Sequence, residues 1–188
     1  MSAQIEVEIR SFITREKYEE FLEFFRKEGE FLGEDFQETY YFGAKEDLRI
    51  QRNNSFSKIW MKKGKIHDER REEIEIKFAR GDFEKLEAIF LALGFSVSVK
   101  WLRKRRSFRW RGIDVAVDFT KGYGYILELE KMADESGKEK TLELLKRKME
   151  TLGIPLTPKA EFDKKFQYYR ENWKKLVGEA PRKSCVKE

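Results

Sequence analysis

Apolar and polar residues alternate from the first strand-like segment onward. Residues 5–10 read Ile-Glu-Val-Glu-Ile-Arg, which in a strand sets Val7 and Ile9 on one side and Glu6, Glu8 and Arg10 on the other. The habit recurs. Lys58, Trp60 and Lys62 share one side of a later segment, as do Arg71, Glu73, Glu75 and Lys77, Lys104 and Arg106, and Glu128 and Glu130. The opposite sides carry Ile74, Ile76, Val115, Val117, Leu127 and Leu129. Strands are predicted over 5–10, 37–42, 47–52, 57–63, 72–78, 101–110, 113–120 and 125–132. Turn residues separate them at Asn53-Asn54, Arg111-Gly112 and Gly122-Tyr123-Gly124.

Helical spacing interrupts this pattern at four places. Thr14 precedes a stripe of Tyr18, Phe21, Leu22 and Phe25 that stops at Gly29, predicting a capped helix over 15–28. Asp82 is the expected cap for a stripe of Phe83, Leu86, Ile89, Phe90 and Leu93, closed by Gly94. Leu142, Leu145, Met149 and Leu152 align over 138–152, with Gly153 and Pro155 closing that helix. Thr157-Pro158 opens the last one, whose expected buried side is Phe162, Phe166, Tyr169, Trp173 and Leu176. The reading is an α+β chain with one domain over 1–178 and a basic tail over 179–188.

Composition narrows the chemistry. The 188 residues are 40% hydrophobic and 40% charged, so a core can form beneath an unusually ionic surface. Lys and Arg number 40 against 35 Asp and Glu, a modest balance of +5 that suits an anionic ligand without demanding nucleic acid. Cys185 and His67 are the only residues of their kinds, which removes disulfide frameworks, Cys- or His-rich metal sites and imidazole triads. No stretch approaches the ~20 apolar residues of a membrane span, and the N-terminus lacks a signal-peptide pattern. The expectation is a soluble, cytoplasmic protein.

Apolar helix stripes need the apolar faces of the strands as partners, which leaves the charged faces either in water or lining an interior. For any one strand, a solvated face is the ordinary outcome. The whole set points elsewhere. Glu6/Glu8, Glu73/Glu75 and Glu128/Glu130 are three E-x-E pairs in three strands, while cations at the same spacing occupy others. A site for a polyphosphate and a divalent cation needs both, because carboxylates hold Mg²⁺ or Mn²⁺ and Arg or Lys hold phosphate oxygens.

Here the chain resembles a known family. Glu6-Val7-Glu8-Ile9-Arg10 is similar to the E-x-E-x-K opening of the CYTH superfamily, the triphosphate tunnel metalloenzymes, which includes class IV adenylyl cyclases and thiamine triphosphatases. Leu48-Arg49-Ile50-Gln51 stands at the family's R-x-R, Ile59-Trp60-Met61-Lys62 at its strand ending in Lys, and Arg71 to Glu75 at its R-x-E-x-E. Lys104-Arg105-Arg106 resembles K-x-R, and Asp118, the Gly122–Gly124 turn and Glu128-Leu129-Glu130 resemble the closing strands. The likeness runs from residue 5 to about 176. Arg10 stands where the motif has Lys, and Gln51 where it has its second Arg.

The resemblance implies an eight-stranded antiparallel barrel, helices packed outside, enclosing a tunnel for a triphosphate and divalent cations. Carried over residue by residue, it implies Glu6, Glu8, Glu73, Glu75, Asp118, Glu128 and Glu130 as metal carboxylates. Arg10, Arg49, Lys62, Arg71, Lys104 and Arg106 would then bind phosphate oxygens. Glu6, Glu8, Lys62 and Arg106 would carry catalysis, with Mg²⁺ or Mn²⁺ as cofactor and ATP or polyphosphate as the small-molecule partner. No protein nucleophile is required: water attack makes a triphosphatase, and attack by the ribose hydroxyl on the α-phosphate makes a cyclase. Spacing and the Gly-Tyr-Gly turn look closest to the class IV adenylyl cyclase branch.

Other functions stay open on the residues alone. They include a triphosphatase for tripolyphosphate, thiamine triphosphate or an RNA 5′ end, and a non-catalytic polyphosphate binder. Lys100–Arg111 interleaves Trp101, Phe108 and Trp110 with basic residues, a mixture that also suits single-stranded nucleic acid. The acidic pairs argue against that reading, since they repel a phosphate backbone. Oligomeric state is not encoded in any of these patterns.

Overall fold

The computed structural model describes residues 5–62 and 73–178. Eight strands form one sheet in the order β1-β8-β7-β6-β2-β3-β4-β5. They are β1 (Ile5–Ile13), β2 (Glu30–Phe42), β3 (Asp47–Arg52), β4 (Phe56–Lys62), β5 (Glu73–Ala79), β6 (Val97–Trp110), β7 (Ile113–Thr120) and β8 (Gly124–Ala133). The helices are α1 (Arg15–Glu28), α2 (Phe83–Ala92), α3 (Lys138–Thr151) and α4 (Lys159–Val177). Among the described residues no helix is long and apolar enough to cross a membrane. The chain packs as two compact units, Met1–Asp35 with Arg103–Lys165 and Phe36–Leu102 with Phe166–Glu188, and the division falls within β2, β6 and α4.

In the first unit β1, β8, β7 and β6 pair antiparallel. Their alternation sends Val7, Ile9, Leu127, Leu129, Val115, Val117, Phe108 and Trp110 to one face, where α1 and α3 add Phe21, Phe25, Leu145 and Met149. Burying one such side chain contributes roughly 1.5–3 kcal/mol, so this layer anchors the unit. Thr14 caps α1 as the sequence predicts, accepting from the Lys17 amide at 3.2 Å. The β6–β7 connection is a two-residue hairpin with Arg111 at φ 47° and Gly112 at φ 75°. Two left-handed residues match the twist of the flanking strands.

The second unit repeats the plan at smaller scale. Tyr40, Ile50, Ile59 and Ile76 stand opposite one another across β2, β3, β4 and β5. Tyr40, Phe42 and Ile50 pack with Phe83 and Leu86 of α2. Asp82 stands at the N-cap position of this helix as expected, but its side chain makes no capping hydrogen bond. Its carboxylate takes the Lys85 ammonium at 2.7 Å, and a 3₁₀ turn over Arg80–Asp82 leads into the helix instead. Ile89 and Leu93 of the expected stripe are exposed.

α4 packs differently from α1, α2 and α3. In the first unit Phe162 stacks on Phe12, which shares a face with Glu8 and Arg10. In the second, Phe166 meets Tyr41 and Trp101, and Tyr169 packs on Trp101 while donating its hydroxyl to the Lys100 carbonyl at 2.6 Å. Tyr41 lies in register with Arg49 and Trp60. The aromatic stripe of α4 thus belongs to the charge-bearing face of each unit, because that face supplies aromatic partners. Thr157, the expected cap, instead accepts from the Phe12 amide at 3.0 Å and pairs with the Ser11 hydroxyl at 2.8 Å.

Candidate functional site

Register assembles the first unit's charged face from cross-strand ranks. Glu8, Glu130, Asp114 and Arg109 form one, running across β1, β8, β7 and β6. Arg10, Glu128, Ala116 and Ser107 form the next, and Phe12, Ile126, Asp118 and Arg105 the third. Glu6 extends the β1 edge beyond Glu8, opposite Met132. Five of the predicted acidic residues, Glu6, Glu8, Asp118, Glu128 and Glu130, therefore share one face.

They fall into two electrostatic groups. Asp118 and Glu128 are buried and already held by guanidiniums. Arg105 donates to Asp118 at 2.7 Å and to Glu128 at 2.9 Å, and Arg103 reaches Asp118 at 3.3 Å. Burial alone would raise the Glu128 carboxyl, but Arg105, Arg103 and Arg10 outweigh it and hold it below the usual range. Glu8 and Glu130 behave in the opposite way. Burial, then the neighbouring Glu6, Glu128, Asp114 and Glu8 charges, push Glu130 up to about 7. Desolvation and then Glu128 raise Glu8 too, although its surface is open to water; protein crowds it without covering it.

That second group fits a divalent cation. The donors are hard carboxylate oxygens, directly opposed in the case of Glu8 and Glu130, and their mutual repulsion is what a bound cation relieves. Among the described residues no three Asp, Glu, His or Cys side chains come close enough together to hold a metal ion. Glu8 and Glu130, with Glu6 on the same face, could offer oxygens to such an ion.

β6 departs from the sequence reading. Lys104 stands opposite Phe119 and Arg106 opposite Val117, on the apolar face rather than with the carboxylates. There Arg106 donates to Glu34 at 2.6 Å and to the Tyr18 hydroxyl of α1, and Lys104 pairs with Glu34 at 3.1 Å. Arg103 and Arg105 take the place expected of them. Phe108 and Trp110 carried the signal: both are core residues at even positions, so the odd-numbered arginines must face the other way.

In the second unit Arg49 aligns with Tyr41, Trp60 and Glu75, and Gln51 with Thr39, Lys58 and Lys77. Arg49 is clamped by Asp47 through two 2.6 Å bonds and lies 4.2 Å from the Tyr41 ring centre. Glu75 pairs with Lys58 at 2.7 Å and Lys77 at 3.8 Å, so this predicted metal carboxylate is engaged by cations. Gln51 is buried and donates to Thr39 at 2.8 Å, a structural use of the position where the motif has Arg. The backbones of Lys62 and Glu73 are opposed in the β4–β5 ladder. Arg71 lies outside the described residues.

The sequence matches the CYTH domain family over residues 4–166. The chain belongs to that family. A Methanocaldococcus jannaschii protein named "Putative adenylate cyclase" is 35% identical over 136 residues, 66% of this chain and 76% of the relative. Among solved structures, a conserved hypothetical protein from Pyrococcus furiosus superposes with a TM-score of 0.64 at 28% identity, covering 80% of this chain and 92% of that one. A Vibrio parahaemolyticus structure also named a putative adenylate cyclase reaches 0.61 at 16% identity over 85% of this chain and 97% of its own, a likeness of fold alone. The CYTH match covers the whole of the first unit's charged face.

Proposed function

We propose that this CYTH protein is a divalent-metal-dependent enzyme acting on the triphosphate of a nucleotide, with conversion of ATP to cyclic AMP and pyrophosphate as its reaction. The observation that carries the reading is one sheet face holding the crowded carboxylates Glu6, Glu8 and Glu130 beside the cations Arg10, Arg103 and Arg105. The name of the Methanocaldococcus relative supports the choice of reaction.

Each residue has a part. Arg103 and Arg105 are fixed beside Asp118 and Glu128, which places their positive charge in advance for phosphate oxygens. Arg10 projects from the same face beside Glu128. Glu6, Glu8 and Glu130 take Mg²⁺ or Mn²⁺, which when bound polarises the phosphoryl group and neutralises developing charge. Arg49 and Lys58 carry the same phosphate-binding chemistry on the second unit's own face, with Lys62 and Arg71 assigned there by resemblance. Because fixed guanidiniums need no reorganisation as charge builds, most of the catalytic benefit comes from positioning and electrostatics.

The test is product analysis with purified protein, Mg²⁺ or Mn²⁺, and either ATP or inorganic tripolyphosphate. Cyclic AMP with pyrophosphate is expected from ATP. Orthophosphate release from both substrates would replace the cyclase with a triphosphatase, and tight binding without turnover would replace the enzyme with a binder.

A further inference from the structure

Arg10 is held unlike the other arginines of its face. Arg103 and Arg105 are tied to carboxylates, whereas the Arg10 guanidinium carbon lies 4.9 Å from the ring centre of Phe162. Phe162 is a buried residue of α4, and its ring stacks on Phe12 at 4.4 Å with 27° between the planes. Lys165 places its ammonium 3.8 Å from the centre of Phe12. The result is a cation–ring–ring–cation stack beside Glu128 and Glu8.

The helix is brought there deliberately by the chain before it. Ser11 donates to the Pro155 carbonyl at 2.6 Å, and Thr157 accepts the Phe12 amide at 3.0 Å, so residues 155–157 are stitched to the β1 edge at the step before the stack. α4 then starts at Lys159, and its first turn delivers Phe162 onto Arg10. A flat guanidinium exploits such a ring better than a compact ammonium does. Arg is also rotamer-rich, so a side chain ordered before the ligand arrives costs less on binding.

We propose that Phe162 is a positioning residue that holds Arg10 over the carboxylate face and so sets the affinity for the triphosphate. This rests on the triphosphate reading above. α4 is then part of the ligand-gripping apparatus and more than a cover.

The experiment is calorimetric titration of the full-length protein with inorganic tripolyphosphate and Mg²⁺. Phe162→Leu keeps the apolar volume and removes the ring; Phe162→Tyr keeps the ring. Binding about two- to fivefold weaker is expected for Phe162→Leu, with wild-type affinity for Phe162→Tyr and no further effect of Phe162→Leu once Arg10→Ala is present. Equal losses with and without Arg10, or no loss at all, would show that Phe162 only packs and would overturn the inference. Should Phe162→Leu unfold the protein, Arg10→Lys in the intact chain reads the same contact, and affinity as good as wild type would overturn it. A wild-type protein that ignores tripolyphosphate removes both the triphosphate reading and this inference; a wild-type protein that binds it as well as Arg10→Ala does removes the inference alone.

Discussion

Arg105 and Arg106 are chain neighbours on opposite faces of β6. Arg105 serves two buried carboxylates, while Arg106 ties Glu34 to the Tyr18 hydroxyl beneath α1. Removing one partner of a buried ion pair leaves charge without compensation, so Arg105→Ala should cost about 3 kcal/mol, the lower end because Arg103 still reaches Asp118. The same change should weaken tripolyphosphate binding about tenfold or more, read by titration calorimetry. Arg106→Ala should cost about 1 kcal/mol and leave that affinity unchanged. A reversal of the two would place the wrong arginine on the site. Glu130 offers a test by pH. Its folded carboxyl is raised above the unfolded value to about 7, so its contribution to stability is full below the unfolded pKa and lost as pH rises through 7. In chelator, Glu130→Gln should therefore melt higher than wild type at pH 8 and lose that advantage towards pH 5. A constant difference across that range would contradict the raised carboxyl.

Elements were legible where the period was strict. β1, β7, β8, α1 and α3 follow from alternation or helical spacing, because each buries one uninterrupted face. β6 shows where this runs out. Between Trp101 and Phe108 the chain carries a run of cations that can stand on either face, and only the core residues Phe108 and Trp110 set the phase. The E-x-E pair of β8 needed no such marker, because Leu127 and Leu129 flank it in the core. β2 begins at Glu30, well before the predicted 37, because its first half carries apolar residues without alternation and Phe31, Leu32 and Phe36 stay exposed. α4 and its buried aromatic side were legible, but not the sheet face it covers, since an aromatic stripe bordered by lysines also suits a charged face studded with rings. One turn can be improved. Arg111 sits at φ 47°, a strained place for a long side chain, and Asn is favoured before Gly in such a hairpin. Arg111→Asn should stabilise the protein by about 0.5 kcal/mol in denaturant unfolding, and a loss would mean that the Arg111 contact with the Trp110 ring outweighs the turn.

At the scale of the whole molecule, a near-balanced charge of +5 conceals a local crowding of carboxylates around Glu130. Like-charged carboxylates held close raise the energy of the metal-free protein, and a ligand that binds only the folded state recovers it by mass action. Mn²⁺ and tripolyphosphate together, each at about a hundred times its dissociation constant, should raise unfolding free energy by about 2.7 kcal/mol or more, and by more than either alone. Equal effects of tripolyphosphate with and without the metal would separate phosphate binding from the acidic group. The most direct measurement is turnover of ATP and of tripolyphosphate against Mn²⁺ concentration, in wild type and in a Glu6→Gln/Glu8→Gln double variant. Metal-dependent turnover that collapses in the double variant is expected. Turnover and metal dependence that survive the loss of both carboxylates would contradict the assignment of this face as the catalytic site.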